Sequence, residues 1–390
     1  MALMACLLFP LMAEGQTASA VDTTAIMRDD YITASILVVS PANEVYSMFG
    51  HCALRLNCPS KQMDYCFTFE MSSDTKGILN FFTGQSLGGF KPAPTQDYLD
   101  YYRKEQRSVT QYTLNLTPAE KLQLWKAADE EVARGNYWHY DYRRIQCASM
   151  LIYLVEKALD HPIVYHNLPQ QVQGTQRYQG LAEGESFPWS VFCFQTMKGT
   201  EMDVTEPIEE KLTPRTLPLT WQQATVGDNR TLIAGNSESL LSGQSIKPTV
   251  FSPLRACTLL LLIVVVASYG QWRYAWHILP RITDIILLVL FIAIALVVTT
   301  LVACSKNTGV QWNWYLPAFN PLPLLLGLIP RWRRWTAGCW GIILLTSIIL
   351  TPFIPQFDRP HALLMGCIMV RLFTYVLLPK RFLSKQIINN

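Results

Sequence analysis

Apolar positions in this chain form short runs before about residue 252 and long, nearly uninterrupted stretches after it. Ile36-Leu-Val-Val39 reads as a short buried strand. His51 to Leu56 and Asp64 to Phe69 read as two strands joined by a turn through Asn57, Pro59 and Ser60, and Val109 to Leu116 as a further strand. Thr117-Pro-Ala-Glu120 opens a helix with a Thr N-cap, a Pro at the first helical position and a Glu that completes a capping box. That helix is expected to run to about Arg134, where Gly135 stops it, and a second helical run spans Met150 to Leu159. Gly77 to Pro94, rich in Gly and aromatics, reads as a long surface loop, with a lid or acyl-chain wall as the alternative. Residues 200–252 hold Thr, Pro, Gly and Ser without lasting periodicity and read as a tether.

The long stretches are membrane-like. Ala256–Trp276, Ile282–Cys304, Trp314–Pro330, Trp335–Ile354 and His361–Leu378 are each long enough to cross a hydrocarbon core, although Pro317, Pro321 and Pro323 interrupt the third. Trp and Tyr cluster at their ends, as interfacial residues do. Ala2 to Ala13, followed by small residues to Ala20, has the character of a secretory signal peptide without an n-region charge. The expected plan is therefore a signal peptide (1–20), an exported domain (21–199), a tether (200–252) and a membrane domain of about five helices (253–390).

The overall charge of +3 matters less than where the cations lie. Arg273, Arg281, Arg331, Arg333, Arg334, Lys380, Arg381 and Lys385 fall in alternate loops and the tail, whereas the other loops hold only Lys306 and Arg359. By the positive-inside rule, the C-terminus is cytoplasmic and everything before residue 253 lies on the other side, as the signal peptide also requires.

Candidate chemistry rests on two residues. His51 follows a Gly-His corner in Tyr46-Ser-Met-Phe-Gly-His-Cys-Ala-Leu-Arg-Leu56 and stands at the head of a strand. Cys147 follows the Tyr-rich run 137–142 and precedes a helical run, where unpaired N–H groups and the macrodipole favour a thiolate. An imidazole on a neighbouring strand can take the thiol proton and return it. This is the arrangement of a papain-like nucleophile with the histidine first in the chain. His139, His161 and His166 compete for the role of base, but none heads a strand. A third member of the triad is expected within Asp64 to Glu70, beside His51.

Tyr46, Ser47 and Tyr142 are candidate substrate contacts near the pair, with core packing as the alternative reading. Asn320 and Arg371 are the polar exceptions in the membrane stretches, and Arg371 suits either a lipid phosphate or a helix carbonyl. Cys52, Cys58, Cys66, Cys147 and Cys193 make an odd set after export, with Cys147 the expected free thiol and Cys58–Cys66 a conceivable pair. No Cys-x-x-Cys or His-Glu-x-x-His run suggests a metal, no P-loop or dinucleotide pattern suggests a cofactor, and no nucleic-acid partner is expected.

The run Ser47-Met-Phe-Gly-His-Cys-Ala-Leu-Arg55, the later Cys147 and the C-terminal five-span block resemble the Lnb-type lipoprotein N-acyltransferases of the bacterial envelope. This resemblance spans most of the chain. It departs from the family pattern at Cys52, where a threonine is usual, and at Gln146 before the nucleophile. Histidine before cysteine also resembles circularly permuted papain-like folds, among them the lecithin:retinol acyltransferase group. The resemblance implies an α+β, permuted papain-like exported domain followed by an all-α transmembrane bundle. It further implies acyl transfer from a phospholipid, through a Cys147 thioester, to the α-amino group of a diacylglyceryl-lipoprotein, with His51 as base. A cell-wall peptidase or amidase using the same dyad, or a non-catalytic membrane scaffold, are the alternatives from other classes.

Overall fold

The computed structural model describes residues 31–377 except 73–79, 81, 142, 206 and 245–248. The expected signal peptide (1–20) and Tyr142 lie outside the described residues. The fold is α+β, a sheet-rich N-terminal domain followed by a helical C-terminal block.

Seven antiparallel strands form the main sheet. In chain order they are β1 (Thr33–Val39), β2 (His51–Cys58), β3 (Met63–Met71), β4 (Leu87–Pro94), β5 (Val109–Thr113), β6 (Trp138–His139) and, after the smaller sheet β7 (Ile163–Val164), β8 (Thr225–Val226) and β9 (Arg230–Thr231), β10 (Glu238–Leu241). The spatial order is β10-β5-β1-β2-β3-β4-β6. Helix α1 (Thr95–Lys104) covers one face, where Leu37, Val39, Ala53 and Cys66 meet Tyr98 and Tyr102. On the other face Ile36, Leu54, Leu56, Phe67 and Phe69 join the core with α2 (Pro118–Arg134) and α3 (Cys147–Glu156). Burying each such side chain contributes about 1.5–3 kcal/mol, so both apolar faces hold the strands in register. The expected capping box is present: Thr117 Oγ1 accepts from Glu120 N and the Glu120 carboxylate accepts from Thr117 N.

Two expectations are corrected here. Gly77–Pro94 is not simply a surface loop, because 87–94 is strand β4. A Cβ on Gly89 would lie 2.5 Å from the Gly135 carbonyl oxygen, so only glycine allows that approach. Pro92 and Pro94 are tolerated because β6 pairs only with Leu87 and Gly88, leaving their outer side without a partner strand. Residues 200–252 are not a tether either. They contribute β8, β9, β10 and two short helices, and Leu212, Leu217 and Trp221 are fully buried in the core shared with α3. Elements of two to six residues carry no readable period, so only long-range contacts reveal them.

Between α3 and these segments lie α4 (Gln176–Glu183) and α5 (Pro188–Met197), and the short helices are α6 (Ile208–Lys211) and α7 (Thr216–Trp221). The helical block contains α8 (Pro253–Tyr274), α9 (Ile278–Cys304), α10 (Leu322–Gly327), α11 (Arg333–Leu350) and α12 (Arg359–Leu377). Helices α8 and α9 are long and apolar enough to cross a membrane. Leu262, Ile285, Val289 and Leu296 project from them unburied, as side chains facing lipid would.

The third expected span is corrected from one helix to a broken segment. Its proline cluster leaves turns followed by the six-residue α10. Irregular backbone at that depth must be enclosed by protein. Tyr315, Ala318 and Phe319 are indeed fully buried, and Trp340 Nε1 donates to the freed Ala318 carbonyl at 3.0 Å.

Helix α5 docks the domain on this block. Asn313 Nδ2 donates to the Thr196 carbonyl (2.8 Å), Gln195 Nε2 donates to that of Pro355 (3.1 Å), and Gln356 Nε2 donates to Asn313 Oδ1 (2.7 Å). His361 bridges Thr196 and Asp358 while stacking between Phe192 and Tyr315, with ring centroids 4.1 and 4.3 Å away. The docking loops, 305–313 and 355–361, are those that the charge pattern assigns to the exported side.

Candidate functional site

Local sequence places His51. Gly50 has φ +80, and a Cβ there would come within 2.4 Å of the Val39 carbonyl oxygen, so glycine makes the corner that starts β2. The β2–β3 ladder ends at Ala53 opposite Thr68, although both strands continue. At that end Thr68 Oγ1 lies 2.6 Å from His51 Nε2. Asp64, by contrast, accepts two hydrogen bonds from Arg55 and one from Thr95, away from His51. Thr68 therefore orients the ring; as an ordinary strand residue it gave no separate signal in the sequence.

Cys147 is the first residue of α3. Gln146 is its N-cap: the carboxamide oxygen accepts from Ala148 N at 2.8 Å, and Nε2 is anchored on the Leu212 carbonyl at 2.9 Å. The same oxygen lies 3.7 Å from the Cys147 sulfur. The expected row of open helix-start N–H groups is thus partly closed by Gln146.

The pair is electrostatically coupled. A hydrogen bond from the Cys52 side chain holds the Cys147 thiol well below its ordinary value. The charge and hydrogen bond of His51 and the Cys52 amide act in the same direction, and together they overcome the opposing effect of burial. Burial disfavours a charged His51, yet the Cys147 thiolate beside it and the charge of Glu70 raise its pKa above the ordinary value. Both shifts run toward the charged forms, thiolate and imidazolium. Tyr140 stacks on Phe69 at 6.2 Å, and its hydroxyl is raised by burial and by the nearby Cys147 charge. Tyr140 thus adjoins the pair within the Tyr-rich run that contains Tyr142.

The other described candidates, Tyr46, Ser47, Asn320 and Arg371, stand elsewhere. Tyr46 is 76% exposed. Ser47 Oγ donates to Glu44 Oε2 at 2.6 Å and organises the loop before Gly50. Asn320 caps the broken segment, donating to the Leu316 and Pro317 carbonyls and accepting from Leu322 N. Arg371 forms a fork with Asp284 at 2.6 and 3.0 Å and donates to Ser268. Cys58 and Cys66 lie on opposite faces of the sheet, because Cys66 pairs with Arg55, an odd position of β2, so they do not form the conceivable disulfide.

Behind Gln146, Thr213 Oγ1 donates to Glu183 Oε1 at 2.7 Å. Burial pushes the Glu183 carboxyl up to about 7, outweighing that hydrogen bond and the charge of Arg215. A raised carboxyl supports folding fully below its unfolded value, and this support is lost as pH rises through about 7. Glu183→Gln should therefore change stability little at pH 5 and raise it by about 3 kcal/mol at pH 8. Thermal unfolding of the full chain in detergent at both pH values reads this, and equal shifts at the two would contradict it.

Residues 20–174 match the Lnb N-terminal periplasmic domain, and residues 245–381 match the Lnb transmembrane domain. No curated protein matches the chain, and no solved structure does.

Proposed function

Because this chain is an Lnb-type protein, a membrane protein with a periplasmic N-terminal part, we propose that it transfers an acyl chain from phospholipid to the α-amino group of a diacylglyceryl-lipoprotein. What supports this most is that Cys147 and His51 each shift the other toward its charged form, on a domain docked against membrane helices. Helix-borne Cys147 and strand-borne His51 suit a permuted papain-like scaffold. The positive-inside pattern suits the bacterial inner membrane with a cytoplasmic C-terminus.

In this reading, the Cys147 thiolate attacks the ester carbonyl. The Cys147 amide steadies the oxyanion, and the lysophospholipid leaves with the proton of the His51 imidazolium. The lipoprotein amine then attacks the thioester, neutral His51 takes its proton, and the thiolate departs as the amide forms. With Nε2 held by Thr68, Nδ1 is the nitrogen left for these transfers.

Proximity to the bilayer has an energetic reason. Drawing a chain of ~16 carbons into water would cost roughly 12 kcal/mol, so the thioester must form where the chain stays in lipid. Met48 and Phe49, just before His51, pack on Phe187 and Phe194 at the docking helix α5, tying the site to the membrane block.

Intact-mass and peptide analysis after incubation with phospholipid should show an acyl adduct on Cys147, discharged by a diacylglyceryl-peptide as an N-acyl product. No adduct, or cleavage of peptidoglycan peptides instead, would defeat this assignment.

A further inference from the structure

We infer that a polar cleft beside the His51 corner is a lipid-headgroup site, in which Arg107 takes the phosphate and Glu105 the ammonium of a zwitterionic phosphodiester. That the ligand is a lipid rests on the acyl-transfer reading; the charges it must carry follow from the cleft itself.

The cleft holds about 250 Å³ between the β1–β2 loop (40–43), the turn before β5 (105–107), Phe187 ahead of α5, and Gln244 and Thr249 ahead of α8. It lies at the end of the sheet that carries His51. Val39 pairs with His51, and Ser40 is the next residue. A Cβ on Gly50 would lie 3.7 Å from the Pro41 nitrogen, so the corner that places His51 packs directly on a wall of the cleft. The other wall leads to the membrane block. Ser190 Oγ on α5 donates to the Asn43 carbonyl at 2.7 Å, and Trp189 Nε1 donates to that of Phe251 at 2.8 Å. Trp189, Val250 and Phe251 are exposed just before α8 begins, as residues at a bilayer surface are.

Arg107 is held ready for an anion. Its Nε donates to the Ser40 carbonyl at 2.7 Å, and its guanidinium lies over the Tyr102 ring, 5.1 Å from the centroid. These contacts fix the plane of the group, while its buried Nη2 meets no acceptor among the described residues. A planar guanidinium with an unmet donor suits a phosphate oxygen. Of the two acids near it, Glu44 accepts from Ser47 Oγ at 2.6 Å, whereas Glu105 is exposed and lines the cleft. One cation and one solvent-facing carboxylate suit a headgroup that bears both charges, and they give a purely anionic headgroup little net attraction. In a glycerophospholipid only the glycerol separates the phosphate from the ester carbonyls. A headgroup seated here therefore presents those esters close to the His51 corner.

The test is calorimetry of the full chain in detergent with short-chain ether phospholipids. These lack the ester that Cys147 would attack, so binding is read apart from turnover. The lipid with a phosphoethanolamine headgroup should bind about fivefold or more tighter than the one with phosphoglycerol, and inorganic phosphate should bind about tenfold or more weaker than either. Arg107→Gln should weaken lipid binding by about tenfold or more, the loss of a charge-assisted contact. Glu105→Gln changes only an exposed side chain and should erase the headgroup preference. Equal binding of the two lipids by wild type, or an unaltered preference in Glu105→Gln, overturns the inference even if Arg107→Gln fails to fold. Inorganic phosphate that binds as tightly as the lipids assigns the cleft to a free phosphate and overturns it too. Intact ether-lipid binding without an acyl adduct on Cys147 would defeat the acyl-transfer reading alone, whereas an adduct without that binding would defeat this inference alone.

Discussion

Replacing His51 with alanine should lower the proposed acyl transfer by about 10²–10⁴-fold, the range expected when a general base is removed. Two separate losses combine. In the proposed reaction the amine and the departing alkoxide lose their proton partner, and Cys147 loses the positive neighbour that helps hold its thiol low. The sign can be checked with pH. A lowered thiol keeps its thiolate below the usual thiol range near 8.5, so wild-type Cys147 should be alkylated readily by iodoacetamide at pH 6. In His51→Ala the onset of alkylation should move to higher pH, because a neighbour that favoured the charged form is gone. Raising the pH should then restore alkylation but not acyl transfer, which still lacks a proton carrier. A variant that alkylates and transfers like wild type at pH 6 would remove His51 from the mechanism.

Asp284→Asn should destabilise the helical block by about 1.5–3 kcal/mol, the cost of weakening the charge-assisted hydrogen bonds of a buried arginine to a carboxylate that is itself 28% exposed. Asp284 on α9 takes both arms of Arg371 from α12, which also donates to Ser268 on α8, and Tyr375 Oη donates to the same carboxylate at 2.6 Å. Three helices are therefore tied at one point, and Arg371 is only 4% exposed. Thermal unfolding in detergent should show the loss, and adding Arg371→Met should recover part of it, since the orphaned charge is then removed as well. An unfolding temperature for Asp284→Asn within a degree of wild type would falsify this account.

The two residues differ in how they could be read beforehand. His51 was legible because a Gly-His corner and a strand are local features. The partner of Arg371 was not legible, because Asp284 lies 87 residues away and its helix carries no pattern that points across the block. The same division runs through the site. The helix start at Cys147 follows from the apolar run behind it, and the α2 cap from four consecutive residues. Thr68 and Cys52 became visible only when β2, β3 and α3 were brought together, since each is a common strand residue until a neighbour gives it a role.

By itself, then, the sequence determined what depends on near neighbours: the first strands, the capped helix, the membrane-like stretches, their charge asymmetry and the two reactive residue types. The tertiary structure decided what depends on distant neighbours. It turned an apparent tether into sheet and core, broke the third span around buried Tyr315 and Phe319, and supplied the hydroxyl and the second thiol at the site. The physical reason is that periodicity and capping act over a few residues, whereas burial and hydrogen-bond partners are assigned only when the chain closes on itself.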